Sequence, residues 1–237
     1  GKTVSLYTGI NILNKADINI STAEDPVEIN LPGVNQVQID EKTGMDFPKA
    51  LKAFLRQDPD IILVGEIRDI TTGGIAVKAA QTGHMVMSTL HTNDGPQTLT
   101  RLQDMGVQSF AVATSINLIT AQRLLRRLNP DNRVEIEMPD DALRKEDFPE
   151  EMIKAGMQLY GPGEETEENP GYKGRAGIYQ VMPISEDLKR LIIEEANAVQ
   201  LADQAAKEGV WDIRRSGLQK VADGITSLAE VNRVTVE

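Results

Sequence analysis

The chain has 237 residues, 40% of them hydrophobic, 26% charged and 4% aromatic, with no cysteine and a formal charge of −11. These values describe an ordinary globular protein, long enough to bury roughly 70% of its unfolded surface, and they exclude disordered, fibrous and disulfide-framed chains. Thiolate metal sites and thiol nucleophiles are excluded as well; with no apolar run of about 18 residues and no signal-peptide stretch at the start, the expected residence is cytosolic.

The acidity is local. Residues 131–170 hold 13 Asp and Glu against 4 Lys and Arg, a balance of −9 that leaves only −2 for the other 197 residues. A body so near neutrality presents no broad basic surface, so neither nucleic acid nor direct membrane insertion is expected.

Gly1-Lys2-Thr3 opens the chain, followed by a helical pattern over 3–14. These are the last three positions of the phosphate-binding pattern G-x-x-x-x-G-K-[ST], in which backbone N–H groups and a helix N-terminus hold phosphate, the lysine neutralises charge and the hydroxyl binds Mg²⁺. The earlier glycines and the strand that normally precedes them are missing, so the text reads as cut at its front. A strand over 18–22 runs into Glu24-Asp25-Pro26-Val27-Glu28. Acids clustered at a strand end can position water or metal, or equally cap a helix or face solvent.

A short strand over 37–39 precedes a helix over 46–57, with Asp46 as N-cap, Pro48 in its first turn and Asp58-Pro59 closing it. Ile61-Ile62-Leu63-Val64 has no polar alternation and reads as a central strand covered on both faces. It ends in Gly65-Glu66-Ile67-Arg68-Asp69, a carboxylate at a strand tip that can order magnesium or simply face solvent. After a helix over 70–81, a strand over 85–90 carries both histidines on or beside it. His84 and His91 are seven apart and so point to opposite faces of an extended segment, which argues against a shared metal site. His91, in the polar cluster Thr89-Leu90-His91-Thr92-Asn93-Asp94, is the better phosphate sensor, and His84 reads as structural.

A long helical region is expected over 96–128, broken near Gly106. The pattern then decays through Asn129-Pro130-Asp131-Asn132 into a loop-rich acidic insertion with one helix near 149–157. A strand over 176–184 follows, then helices over 185–195, 198–208, 213–222 and 227–231. Helices and strands that take turns indicate an α/β fold with a mostly parallel sheet. The strand ends of such a sheet open on one edge, so Lys2, Thr3, Glu24, Glu66 and His91 can converge on one nucleotide.

With those residues in hand, the chain resembles the secretion ATPases of type II secretion and type IV pili. The phosphate loop, aspartate box, atypical Walker B segment and histidine box of that family look like Gly1-Lys2-Thr3, Glu24 to Glu28, Gly65 to Asp69 and Thr89 to Asp94. The likeness continues through Gly171 to Tyr179 and Gly224 to Val231, and with the insertion it favours the pilus-extension and type II secretion branches over the shorter retraction motors. It implies a RecA-like P-loop core over 1–128, a loop-rich insertion and returning strand over 129–184, and a small helical region over 185–237.

The function the resemblance implies is ATP hydrolysis powering pilus assembly within a hexameric ring, docked on an inner-membrane platform protein. Gly1, Lys2 and Thr3 would hold the nucleotide, with Thr3 and Glu66 on Mg²⁺, Glu24 as general base and His91 as γ-phosphate sensor. Arg68 and Arg101 are candidate charge-stabilising arginines, with solvated or ion-pair roles favoured for each. A type II secretion motor shares this chemistry, and a nucleotide-gated module without hydrolysis is the reading from another class. Many relatives bind zinc through two Cys-x-x-Cys pairs in the insertion. The matching positions here are Asn129 with Asn132 and Glu164 with Glu167, so no zinc is expected.

Overall fold

In the computed structural model, which describes residues 1–235, the chain divides into two compact units. Gly1–Ile119 with Met182–Ala205 form the first, and Thr120–Val181 with Ala206–Glu237 the second. The last two residues of the expected C-terminal region, 236 and 237, lie outside the described residues.

In chain order the first unit contains α1 (Lys2–Leu13), β1 (Ile20–Glu24), β2 (Asn35–Gln38), α2 (Phe47–Phe54), β3 (Ile61–Val64), α3 (Ile70–Gln81), β4 (Met85–Ser88), α4 (Gly95–Asp104) and α5 (Ser109–Ser115). The strands form one sheet in the order β2-β1-β3-β4, with every pair parallel. This is the α/β class the alternating pattern calls for. All four side chains of β3 are buried because both faces of the sheet are covered. Ile61 and Leu63 join Tyr7, Ile10 and Ile20 beneath α1, while Ile62 and Val64 join Leu51, Phe54 and Ala76 beneath α2 and α3. Each large side chain so buried contributes about 1.5–3 kcal/mol.

The helix starts are set chemically. Asp46, Asp69 and Asp94 are N-caps whose carboxylates accept from the amides of Lys49, Thr72 and Gln97, each worth about 1 kcal/mol.

One helical expectation fails. Residues 118–128 are not helix but strand β5 (Leu118–Leu128). The apolar spacing of Leu118, Leu124, Leu125 and Leu128 suits a helix, but Ile116 turns extended at φ −94° and ψ 123°, ending α5. Pairing with a later strand then decides the conformation.

The second unit holds most of β5, then β6 (Arg133–Ile136), α6 (Asp140–Lys145), α7 (Glu150–Lys154), β7 (Leu159–Pro162) and most of β8 (Tyr172–Pro183). β5 pairs with β8, and β6 pairs antiparallel with β7 inside the stretch expected to be loops. After α8 (Glu186–Ile193) and α9 (Ala198–Lys207), whose buried Leu188, Ile192 and Leu201 belong to the first unit, the chain returns through α10 (Ile213–Ala222) and α11 (Leu228–Thr235). Leu125, Phe148, Ile178, Leu218, Val221 and Val231 are at the centre of this second core. Among the described residues no helix is long and apolar enough to cross a membrane.

Candidate functional site

Parallel strands deliver their C-terminal ends to one edge, and the order β2-β1-β3-β4 makes the gap between β1 and β3 the place where the chain reverses its direction of winding. Crevices of that kind are where open α/β sheets bind ligands. β1 ends on Glu24 itself. β3 ends one residue before Gly65-Glu66, and the Gly65 amide donates to Ala23 O at 2.8 Å. A Cβ on Gly65 would stand 3.2 Å from Ala23 O and 3.3 Å from the Glu24 Cα, so glycine eases the close approach of this strand end to the backbone that carries Glu24. Beyond β4, the Thr89 hydroxyl donates to Gly65 O at 2.7 Å and Thr89 O accepts from the Ile67 amide, which holds the His91 segment beside Glu66.

The first turn of α1 faces the same crevice. Gly1, Lys2, Thr3, Glu24, Glu66 and His91 all line one cavity of about 370 Å³. These six candidates thus line one cavity, whereas the candidate arginines Arg68 and Arg101 are not among its lining residues. Lys2 Nζ donates to Leu90 O at 2.8 Å, which ties the lysine to the histidine-bearing loop.

The two acids are held differently. Glu24 is 4% exposed, and its carboxylate accepts from three neutral side chains. Tyr7 donates to Oε2, and Thr22 at 2.5 Å and Gln36 at 3.2 Å donate to Oε1. Burial, first, and the hydrogen bond to Glu24 push the Tyr7 phenol above its ordinary value. Glu66 instead faces charge. It forms an ion pair with Arg68, which raises the guanidinium further, and His91 Nε2 stands 3.3 Å from its Oε2 without the alignment of a hydrogen bond. That Oε2 is buried and takes no donor among the described residues.

Sequence reasoning missed Tyr7, Thr22 and Gln36. Thr22 carried a readable signal, since two residues before Glu24 on a strand is the same face. Tyr7 sat in the apolar stripe Leu6-Tyr7-Ile10 and looked like core alone. Of the remaining candidates, Arg68 is paired with Glu66 and lies 4.0 Å from Asp25, whereas Arg101 lines a separate cavity of about 350 Å³ that shares His91. His84 Nδ1 lies 3.0 Å from Ala79 O, at the end of α3, as a structural histidine would. In the insertion, Asn129 and Asn132 bind across to 163–170. Asn129 Nδ2 donates to Asn169 Oδ1 and Pro170 O, and Asn132 Nδ2 donates to Glu164 O and Asn169 O, all within 2.8–2.9 Å.

A family model for Type II/IV secretion system proteins matches residues 1–233. Among curated relatives, the type IV pilus assembly ATPase PilB of Pseudomonas aeruginosa is 61% identical over 235 residues, covering 99% of this chain and 41% of the relative. The type II secretion system ATPase E of Vibrio cholerae is 42% identical over 238 residues, covering 100% of this chain and 46% of the relative. The chain thus spans less than half the length of either. Among solved structures, the pilus retraction motor PilT with bound ADP superposes at a TM-score of 0.74 with 24% identity, covering 100% of this chain and 58% of that one. The ATPase DotB of Legionella pneumophila reaches 0.67 at 20% identity, covering 99% and 56%. At these identities the two structures speak for the fold.

Proposed function

The chain belongs to the Type II/IV secretion system protein family, and from that premise we propose that it is the ATP-hydrolysing motor domain of a type IV pilus assembly machine. The convergence of Lys2, Thr3, Glu24, Glu66 and His91 on one cavity at the sheet edge is the observation that carries this. Phosphoryl transfer asks a protein for little covalent chemistry. It needs a cation and amides on the phosphates, a metal shell, and a carboxylate that orients water in line. Lys2 and the first turn of α1 supply the phosphate contacts, Glu24 holds the attacking water, and His91 reads the γ-phosphate.

Among the described residues no three His, Asp or Glu side chains gather closely enough to hold a metal alone. Mg²⁺ asks for less, because it keeps several waters and takes one or two protein ligands beside substrate phosphates. The buried, donorless Oε2 of Glu66 and the Thr3 hydroxyl on the same cavity fit such an ion. When bound, it neutralises charge developing on the β- and γ-oxygens. The Asn129 and Asn132 amides, already committed to backbone carbonyls, support an insertion that closes without zinc.

The 61% identity to a pilus assembly ATPase favours the pilus machine, while the 42% identity to a type II secretion ATPase keeps the secretion motor as the second reading. In either case the domain works in the cytoplasm as one member of a ring, six in our reading, against an inner-membrane platform protein. Unequal affinity for ATP and ADP drives its change of state, since only differential binding shifts a conformational equilibrium.

Phosphate release by the intact protein tests hydrolysis against nucleotide gating, and sustained ATP binding with no release would favour the non-hydrolysing module. Lys2→Ala removes one charge-assisted contact. We expect ATP affinity by equilibrium titration to fall roughly 10- to 100-fold, and unchanged affinity would contradict the phosphate-loop assignment.

A further inference from the structure

Core packing accounts for the ring of Tyr7 but not for the partners of its hydroxyl. Tyr7 is 5% exposed on α1, four residues after Thr3 and therefore on the same helix face about 6 Å along the axis. Its hydroxyl makes three bonds. It donates to Glu24 Oε2 and accepts from the amides of Glu28 at 3.0 Å and Ile29 at 3.4 Å. A phenol has one proton and two lone pairs, and the amides can only donate, so the proton must go to the carboxylate.

The donor count on Glu24 then has a consequence. A carboxylate offers about four lone-pair sites. Oε1 fills both of its own with Thr22 and Gln36, and Oε2 spends one on Tyr7. One site remains, and it is on the oxygen Tyr7 holds. Because Tyr7 also grips the turn after β1 through Glu28 and Ile29, a single residue sets the spacing between the phosphate-binding turn of α1 and the acid.

We propose that Tyr7 is a positioning residue for hydrolysis, its hydroxyl fixing Glu24 so that the open lone pair of Oε2 meets the attacking water. The proposal rests on Glu24 as the water-orienting carboxylate and adds to it which oxygen acts and what aims it.

The test is Tyr7→Phe in the intact protein, with steady-state kinetics and equilibrium ATP binding measured together. Turnover should fall about 10- to 100-fold, the cost of a misplaced reacting group. KM and ATP affinity should stay within about twofold, because Lys2 and Thr3 are untouched. Tyr7→Phe combined with Glu24→Gln should be no slower than Glu24→Gln alone. A kcat unchanged in Tyr7→Phe, or a kcat loss matched by an equal affinity loss, overturns the positioning role. Normal turnover in Glu24→Gln is a different failure, because it removes the carboxylate assignment beneath the proposal. Should Tyr7→Phe not fold, difluorotyrosine at this position keeps the ring and all three bonds while strengthening the donor. A stronger donor leaves Oε2 less able to accept from water, so kcat should fall severalfold at constant KM, and an unchanged kcat again overturns the proposal.

Discussion

Glu24→Gln in the intact protein will leave ATP affinity within a few-fold of the parent while phosphate release falls roughly 10²- to 10⁴-fold, the usual share of a positioned general base. The side chain keeps its length and one acceptor oxygen, so the cavity lined by Lys2 and Thr3 is little disturbed. An amide nitrogen cannot accept, however. Tyr7 on one side and Thr22 with Gln36 on the other are all donors, so one side of the new amide meets a donor with a donor. A stability loss of about 1–2 kcal/mol should accompany the kinetic defect. Glu24→Asp separates charge from reach: it retains the carboxylate, withdraws it by one methylene, and should also turn over slowly. Parallel phosphate-release and ATP-binding assays check all of this. Normal release by Glu24→Gln would remove the residue from its role.

Acidification will loosen the second unit through Glu230. This carboxylate is 1% exposed on α11, and burial by itself would push its pKa up. Hydrogen bonds from Arg233, from the Arg126 side chain and from the Arg126 backbone together override burial and hold it at about 2, against an ordinary 4.5. A folded value below the unfolded one means that the stabilisation is complete above about pH 4.5 and fades as pH falls toward 2. The gap corresponds to roughly 3 kcal/mol at neutral pH, an upper figure because both guanidinium groups are about half exposed to water. Glu230→Gln should therefore cost about 2–3 kcal/mol at pH 7 and flatten the acid dependence between pH 4.5 and 2. Hydrogen exchange of the Arg126 and Thr226 to Val231 segments reads this locally. Equal acid sensitivity in parent and variant would show that another group controls it.

Legibility in the sequence followed the strength of the local signal. The bounds of β3, α3 and α10 match the expected 61–64, 70–81 and 213–222, because an unbroken apolar run and aspartate caps act within a few residues. For 118–128 the local signal and the structure disagree, since good helix formers are overruled by pairing with β8, some fifty residues away. The β6–β7 pair was hidden for another reason. Arg133-Val134-Glu135-Ile136 does alternate polar and apolar, but the run is only four residues long inside a stretch rich in Pro, Asp and Glu, and all four residues stay exposed, so no buried face reinforces it. The short helix α6 did carry a signal, with Asp140 and Asp141 in its first turn and Arg144 and Lys145 in its last, in the order that complements a helix dipole. At the site, acids at strand ends were readable from chemistry and topology. The groups that aim them were not, because a tyrosine in an apolar helix stripe carries no mark of the partner its hydroxyl will find.

The most direct test is a structure of the intact protein with a non-hydrolysable ATP analogue and Mg²⁺. We expect the γ-phosphate between Lys2 and a water held on Glu24 Oε2, with the metal on Thr3 and its waters toward Glu66. A nucleotide seated away from Lys2, or a water carried by Glu66 while Glu24 faces elsewhere, would contradict the assignment of roles made here.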